Sequence, residues 1–288
     1  MISLILIVVL KLTFPKPITN IEELNEFWIT KTHGKGKYDI VVCGDSRIYR
    51  GFSIEALNED LPLKYRGINL GYSSGGFSEE YLDFALSKLD TNSFCPVLVL
   101  GITPHSLTAE AFKNNAYHSY KSLGSFKIYK GSYLSFALKH FAPYKLQELI
   151  DDSKVNYMQE CHSDGWIASS YLISDSTEAL TSYKKTFSKY QIDNKEVDVF
   201  LSKIKDITSN GITVVAFRPP NTSVMRHLED SISGFDERLV KQNLLGNSVI
   251  WLDFEDADFE SYDGSHLHYK SAKKLSGMIG EKIHGLCR

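Results

Sequence analysis

The chain is poor in the groups that hold a metal cluster, a dense disulfide framework or a nucleic acid. Four cysteines occur in 288 residues, Cys43, Cys95, Cys161 and Cys287, far apart and without a C-x-x-C pair. That spacing speaks against a zinc site or a disulfide-rich scaffold and leaves the redox compartment open. The formal net charge is −3, and Lys and Arg are scattered rather than gathered into a stripe. No field of that kind attracts a polyanion, so nucleic acid is excluded as an expected partner. Repeats, low-complexity tracts and long charge runs are also missing, so one domain is the simplest organisation.

An apolar run of the ~20 residues that a spanning helix needs is missing too. The longest candidate is the N-terminal "MISLILIVVLKLTFPKP", apolar from Ile2 to Leu10 and then broken by Lys11. It has neither the basic start nor the small-residue cleavage site of a signal peptide. Residues 1–36 therefore read as an apolar segment and linker. The segment is either the remnant of a membrane anchor or export signal, or a buried strand or helix. The first alternative implies membrane association and a place in the bacterial cell envelope; the second is compatible with the cytoplasm.

What the chain does have is core material, 43% hydrophobic and 12% aromatic residues, enough for one large buried interior. Short, continuous β-branched runs recur at Asp39–Val42, Gly67–Leu70, Val97–Leu100, Ile212–Phe217 and Ser248–Leu252. Because they do not alternate with polar residues, they read as strands covered on both faces. Helical patterns lie between them. Ser53 can cap one, Ser78 opens "SEEYLDFALSKL", Val197, Phe200, Leu201 and Ile204 form an apolar stripe, and "YKSAKKLSGMIGEKI" ends the chain. The expected fold class is α/β, a flavodoxin-like three-layer α/β/α arrangement with a central, mostly parallel five-stranded sheet, occupying residues 37–288.

About a hundred residues separate the third and fourth strands, far beyond an ordinary crossover. A helical insertion over roughly 105–195 is expected there as a lid. It is rich in aromatics (Tyr117, Tyr120, Phe126, Tyr129, Tyr133, Phe136, Phe141 and Tyr144) and carries "CHSDGWIASSY" near its end. Most of these rings read as glue between insertion and core.

In open α/β sheets, ligands bind beyond the carboxyl ends of the strands. Those ends carry "GDSR", "NLGYSSGG", "GITPHS" and "RPPN", and "DGSHLH" precedes the last helix. Each alone is a common turn or cap. Their joint order resembles the SGNH hydrolases, the GDSL-type serine esterases, from about Tyr38 to the end apart from the insertion.

The resemblance implies a nucleophile at Ser46 and a base and orienting acid at His266 and Asp263. It also implies oxyanion donors at the backbone N–H of Ser46 and at Gly75 or its neighbour Ser74. A serine hydroxyl needs an imidazole to take its proton, and the imidazole needs a third group to hold its tautomer. Where the family has an asparagine two residues after a strand-end glycine, this chain has Thr103. Either Thr103 substitutes, or His105 reaches in, or the oxyanion hole is weaker.

Arg47 and Arg218 read either as guanidiniums for a substrate carboxylate or phosphate, or as partners of local acids. His268 is the rival base. No cofactor and no metal is expected. The implied activity is that of an esterase or O-acyltransferase moving a short acyl group, acetyl first, on a small-molecule or polysaccharide ester. A lipid or thioester hydrolase and a non-catalytic glycan-binding envelope protein are the alternatives.

Overall fold

The structure, a computed structural model, describes residues 21–129 and 157–288. The apolar run at Ile2–Leu10 and the aromatics Tyr133, Phe136, Phe141 and Tyr144 lie outside the described residues. The chain begins with α1 (Ile21–His33), β1 (Ile40–Gly44), α2 (Ser46–Gly51), α3 (Ile54–Asn58), β2 (Gly67–Asn69), α4 (Glu79–Lys88) and β3 (Val97–Gly101). Next come α5 (Ala109–Asn114), α6 (Ala116–Lys121), α7 (Ser125–Tyr129), β4 (Tyr157–Cys161), β5 (Ile167–Tyr171), α8 (Thr177–Lys189) and α9 (Asn194–Ser209). The last part holds β6 (Thr213–Phe217), α10 (Ser223–Ile232), α11 (Glu237–Gly246), β7 (Ile250–Leu252) and α12 (Tyr269–Leu286).

Five strands form one sheet in the order β2-β1-β3-β6-β7, every pairing parallel. The continuous β-branched runs produce this because both sheet faces are covered. Val41, Cys43, Leu98, Leu100, Val214 and Ala216 face α4, α9 and α11 through Leu82, Phe200, Ile204 and Leu244. Ile40, Val42, Val97, Val99, Val215 and Phe217 face α3 and α12 through Leu57, Ala272, Leu275 and Ile279. The result is a three-layer α/β/α fold.

Three features depart from the sequence reading. The insertion is not purely helical: β4 and β5 form an antiparallel hairpin. The "CHSDGWIASSY" segment supplies its turn and β5, and it is fastened to the main domain. Asp164 Oδ2 accepts from the Ile54 N–H at 2.7 Å, and the buried Trp166 Nε1 donates to the Arg50 carbonyl at 2.8 Å. Second, the stretch taken as a linker contains α1. Its Trp28 and Ile29 are buried, and Lys31 Nζ donates to the Gly165 carbonyl at 2.9 Å. Third, Cys95 forms a disulfide that the spacing of the cysteines did not reveal. It is bonded to Cys287, their Cα atoms 5.6 Å apart, tying the approach to β3 to the end of α12; Cys43 stays free and buried.

Close approach at the rim of the sheet places the site. A Cβ on Gly44 would stand 2.4 Å from Ile48 Cγ1, and one on Gly101 only 2.0 Å from Ile48 Cδ1. The two glycines let α2 start directly above the strand ends, so the residue that opens it is held over the rim.

Candidate active site

Ser46 is that residue. Asp45 precedes it as N-cap, its Oδ1 accepting from the Arg47 N–H at 2.9 Å, which settles the first turn of α2. Across the rim, the turn before α12 is folded around Asp263. Its Oδ1 accepts from the N–H groups of Ser265 (3.0 Å) and His266 (2.7 Å), while Gly264 takes the left-handed conformation at φ +84°. His266 follows Asp263 by only three positions, and this turn brings the ring back onto the second carboxylate oxygen.

Side chains from two segments 220 positions apart in sequence are thereby brought together. His266 Nδ1 lies 2.7 Å from Asp263 Oδ2, and His266 Nε2 lies 2.8 Å from Ser46 Oγ. With Nδ1–H donated to the carboxylate, Nε2 presents its lone pair to the serine hydroxyl, the tautomer a general base requires. Burial would raise the Asp263 pKa, yet His266 and the N–H groups of His266 and Ser265 outweigh it and hold the carboxyl at about 2. Burial first, and then the positive charge of Arg50, lower the His266 pKa against the pull of Asp263. The ring is therefore neutral, as a base must be before reaction.

The oxyanion donors expected beside Ser46 are only partly as anticipated. The Gly75 N–H is occupied, donating to the Tyr72 carbonyl at 3.1 Å. Ser74, with φ +54°, lines the same cavity as Ser46, and its N–H and that of Ser46 have no partner among the described residues. Ser74 and not Gly75 is thus the backbone available to a developing oxyanion.

Thr103 does not take the missing asparagine's place. It is fully buried; its Oγ1 donates its single hydrogen to Asp45 Oδ2 at 2.6 Å and accepts from the Ser106 N–H at 3.1 Å. His105, two residues on, does line the cavity. Burial lowers its pKa, so a neutral ring with a donatable N–H faces the space above Ser46.

Neither arginine expected at the substrate is free to bind one. Arg47 is buried, its Nη1 and Nη2 both donating to Glu229 and its Nε to Ser265 Oγ at 3.0 Å. Arg218 donates to Glu237 (2.7 Å), Glu229 (3.0 Å) and Asp230 (2.8 Å). Both pair with acids of the protein, Arg218 with acids close in sequence and Arg47 with the distant Glu229. His268 is likewise not at the nucleophile: its Nδ1 accepts from the Lys270 N–H at 3.3 Å, capping α12.

Sequence reading missed Glu229, Arg50 and Tyr183. Glu229 is wholly buried and shares one face of α10 with Met225 four residues earlier, a carboxylate on an apolar face that must be paired. Arg50 follows Ser46 by four residues and so shares its face of α2. Its Nη1 donates to Tyr262 Oη at 3.0 Å and lies 3.4 Å from His266 Nδ1. Tyr183 comes from α8 of the insertion and left no local signal.

Two cavities meet at this point. The smaller, about 180 Å³, contains Ser46, Ser74 and His105; the larger, about 440 Å³, contains Asp263 and His266; Ser182 and Tyr183 line both. Comparison with protein-family models, with curated proteins and with solved structures found no match for this chain.

Proposed function

We propose that the chain is an SGNH-like serine esterase or O-acyltransferase acting on a short acyl ester, acetyl first, of a carbohydrate. The observation that carries this reading is the hydrogen-bonded relay from Asp263 through His266 to Ser46, at 2.7 and 2.8 Å. A serine so placed has little other use, because holding a neutral buried imidazole between a carboxylate and a hydroxyl costs desolvation that packing alone does not require.

In the reaction, Ser46 Oγ attacks the ester carbonyl while His266 Nε2 takes the hydroxyl proton. Negative charge gathers on the carbonyl oxygen, within reach of the N–H groups of Ser46 and Ser74, each such donor worth ~3 kcal/mol of barrier. The bond to the alcohol oxygen then breaks, and His266 returns the proton to that oxygen, leaving an acyl group on Ser46. Water or a sugar hydroxyl reverses the sequence. Asp263 stays ionised throughout and stabilises the imidazolium.

Ligand cavities span ~300–1,000 Å³, and the space at Ser46, about 180 Å³, falls below that range. Its lining is polar, four serines with Asp45, Thr186, His105 and Tyr183, which supports a short acyl group over the apolar tunnel that a lipid or thioester hydrolase needs. The Cys95–Cys287 bond supports an oxidising setting such as the bacterial envelope. Protein isolated with thiols blocked should yield a Cys95–Cys287 disulfide-linked peptide pair on mass mapping; blocked thiols at both positions would remove that support.

The test of the activity is covalent labelling. A fluorophosphonate should add its mass at Ser46 in the wild type, and labelling should vanish in Ser46→Ala and collapse in His266→Ala. Folded wild type that stays unlabelled would defeat the proposal and favour a glycan-binding protein.

A further inference from the structure

Resting on the acyl-transfer reading, the two cavities can be assigned to the two halves of an ester. The group that protonates the leaving alcohol must face it, and the oxyanion donors must face the acyl carbonyl. His266 lines the larger cavity, whereas Ser74 and His105 line the smaller. The alcohol half therefore belongs in the larger cavity, with Tyr183 as the wall between.

The lining of that cavity describes what fits. Tyr171 and Tyr183 offer aromatic surface, and Asp175 and Glu178 stand on the α8 side as acceptors. Among the described residues, no lysine or arginine lines it. Asp175 accepts from the Thr177 N–H at 2.9 Å, and that bond holds its carboxyl below the usual range, so its charge persists in mildly acid solution. The nearest guanidinium at the triad, Arg50, is directed at Tyr262 and His266.

A pyranose ring suits tyrosine faces with its C–H surface and carboxylates with its hydroxyls. A positive group gains from both carboxylate and ring, and a negative one is repelled. We propose that the larger cavity seats the sugar bearing the ester, that it favours an amino-bearing sugar over a neutral one, and that it disfavours a uronic acid. Tyr171 and Tyr183 form the platform, and Asp175 and Glu178 set the charge preference.

Initial rates on the O-acetylated methyl glycosides of glucosamine, glucose and glucuronic acid test this. Each is expressed relative to the same enzyme's rate on 4-nitrophenyl acetate, so that a folding defect cancels. At low salt kcat/KM should fall in the order amine, neutral, acid over about tenfold, and ~1 M NaCl should compress the span to within about twofold by screening. Asp175→Asn with Glu178→Gln should compress it likewise, and Tyr171→Ala should lower all three ratios. Equal turnover of the three esters at low salt, or preference for the uronate, would overturn the assignment. Turnover of 4-nitrophenyl acetate alongside that result would leave the acyl-transfer reading standing. If the wild type cleaves no ester, NMR titration with methyl glucosaminide and methyl glucuronide reads the same preference: tighter amine binding supports it, and no difference overturns it.

Discussion

Two clusters of opposite charge lie on either side of Arg47, and they behave differently. In one, Asp263 and His266 meet at a cavity wall, hydrogen-bonded to each other at 2.7 Å. In the other, Glu229 is sealed between Arg47 and Arg218 with Asn221 Nδ2 donating to it at 3.1 Å. Burial would raise the Glu229 pKa, but the two guanidiniums more than offset this and keep it ionised. The comparison separates charge left open to a cavity from charge locked into the fold. Arg47 links the two, because its Nε donates to Ser265, which lies between Asp263 and His266 in the triad turn. A sealed ion pair of this kind is not a large net stabiliser, yet it is costly to break from one side.

The comparison predicts effects of very different size. Replacing Ser46 or His266 by Ala should lower kcat about 10⁴-fold or more while thermal unfolding stays close to wild type, measured by ester hydrolysis and calorimetry. An unchanged rate would remove Ser46 from the chemistry. Glu229→Ala should instead destabilise the fold by ~3–5 kcal/mol in urea unfolding, since it strands the buried Arg47 guanidinium and takes one of three carboxylates from Arg218. Should that variant unfold at the wild-type midpoint, the sealed cluster has been given the wrong role. Its residual folded fraction should still label with fluorophosphonate, more slowly, through the Arg47–Ser265 link.

The smallest effect sharpens the first cluster. Arg50 lies 3.4 Å from His266 Nδ1 and disfavours the imidazolium, as does burial. A lowered pKa keeps His266 neutral to lower pH, so the acid limb of kcat/KM should lie below the usual histidine value. Arg50→Gln removes one of the lowering causes; the limb and the His266 NMR titration should both move to higher pH, leaving the variant less active on that flank. A limb that stays put or moves to lower pH would show that Arg50 does not set this proton equilibrium.

Much of the sheet was readable because both-face burial writes itself as uninterrupted β-branched runs. Val97–Leu100 and Ile212–Phe217 match β3 and β6 within a residue. Ser46, Asp263 and His266 were readable as well, since a strand-end Gly-Asp-Ser and an Asp-x-x-His turn are local patterns. The β4–β5 hairpin was not, because Tyr157–Cys161 has no clean alternation and lies half exposed at the edge of an aromatic-rich segment. The fate of Thr103, Arg47 and Arg218 was not readable either. A hydroxyl or guanidinium looks the same in sequence whether its hydrogens go to a ligand or to Asp45 and Glu229.

Sequence alone determined the layers of the fold and which residues could carry the chemistry, for periodicity and turn chemistry act over a few neighbouring positions. Tertiary structure decided which polar groups remain free. A buried donor is costly without an acceptor, and Glu229 reaches Arg47 across 182 positions of sequence. The same long-range closure set Tyr183 between two cavities and left the backbone of Ser74, not that of Gly75, open to the space above the serine.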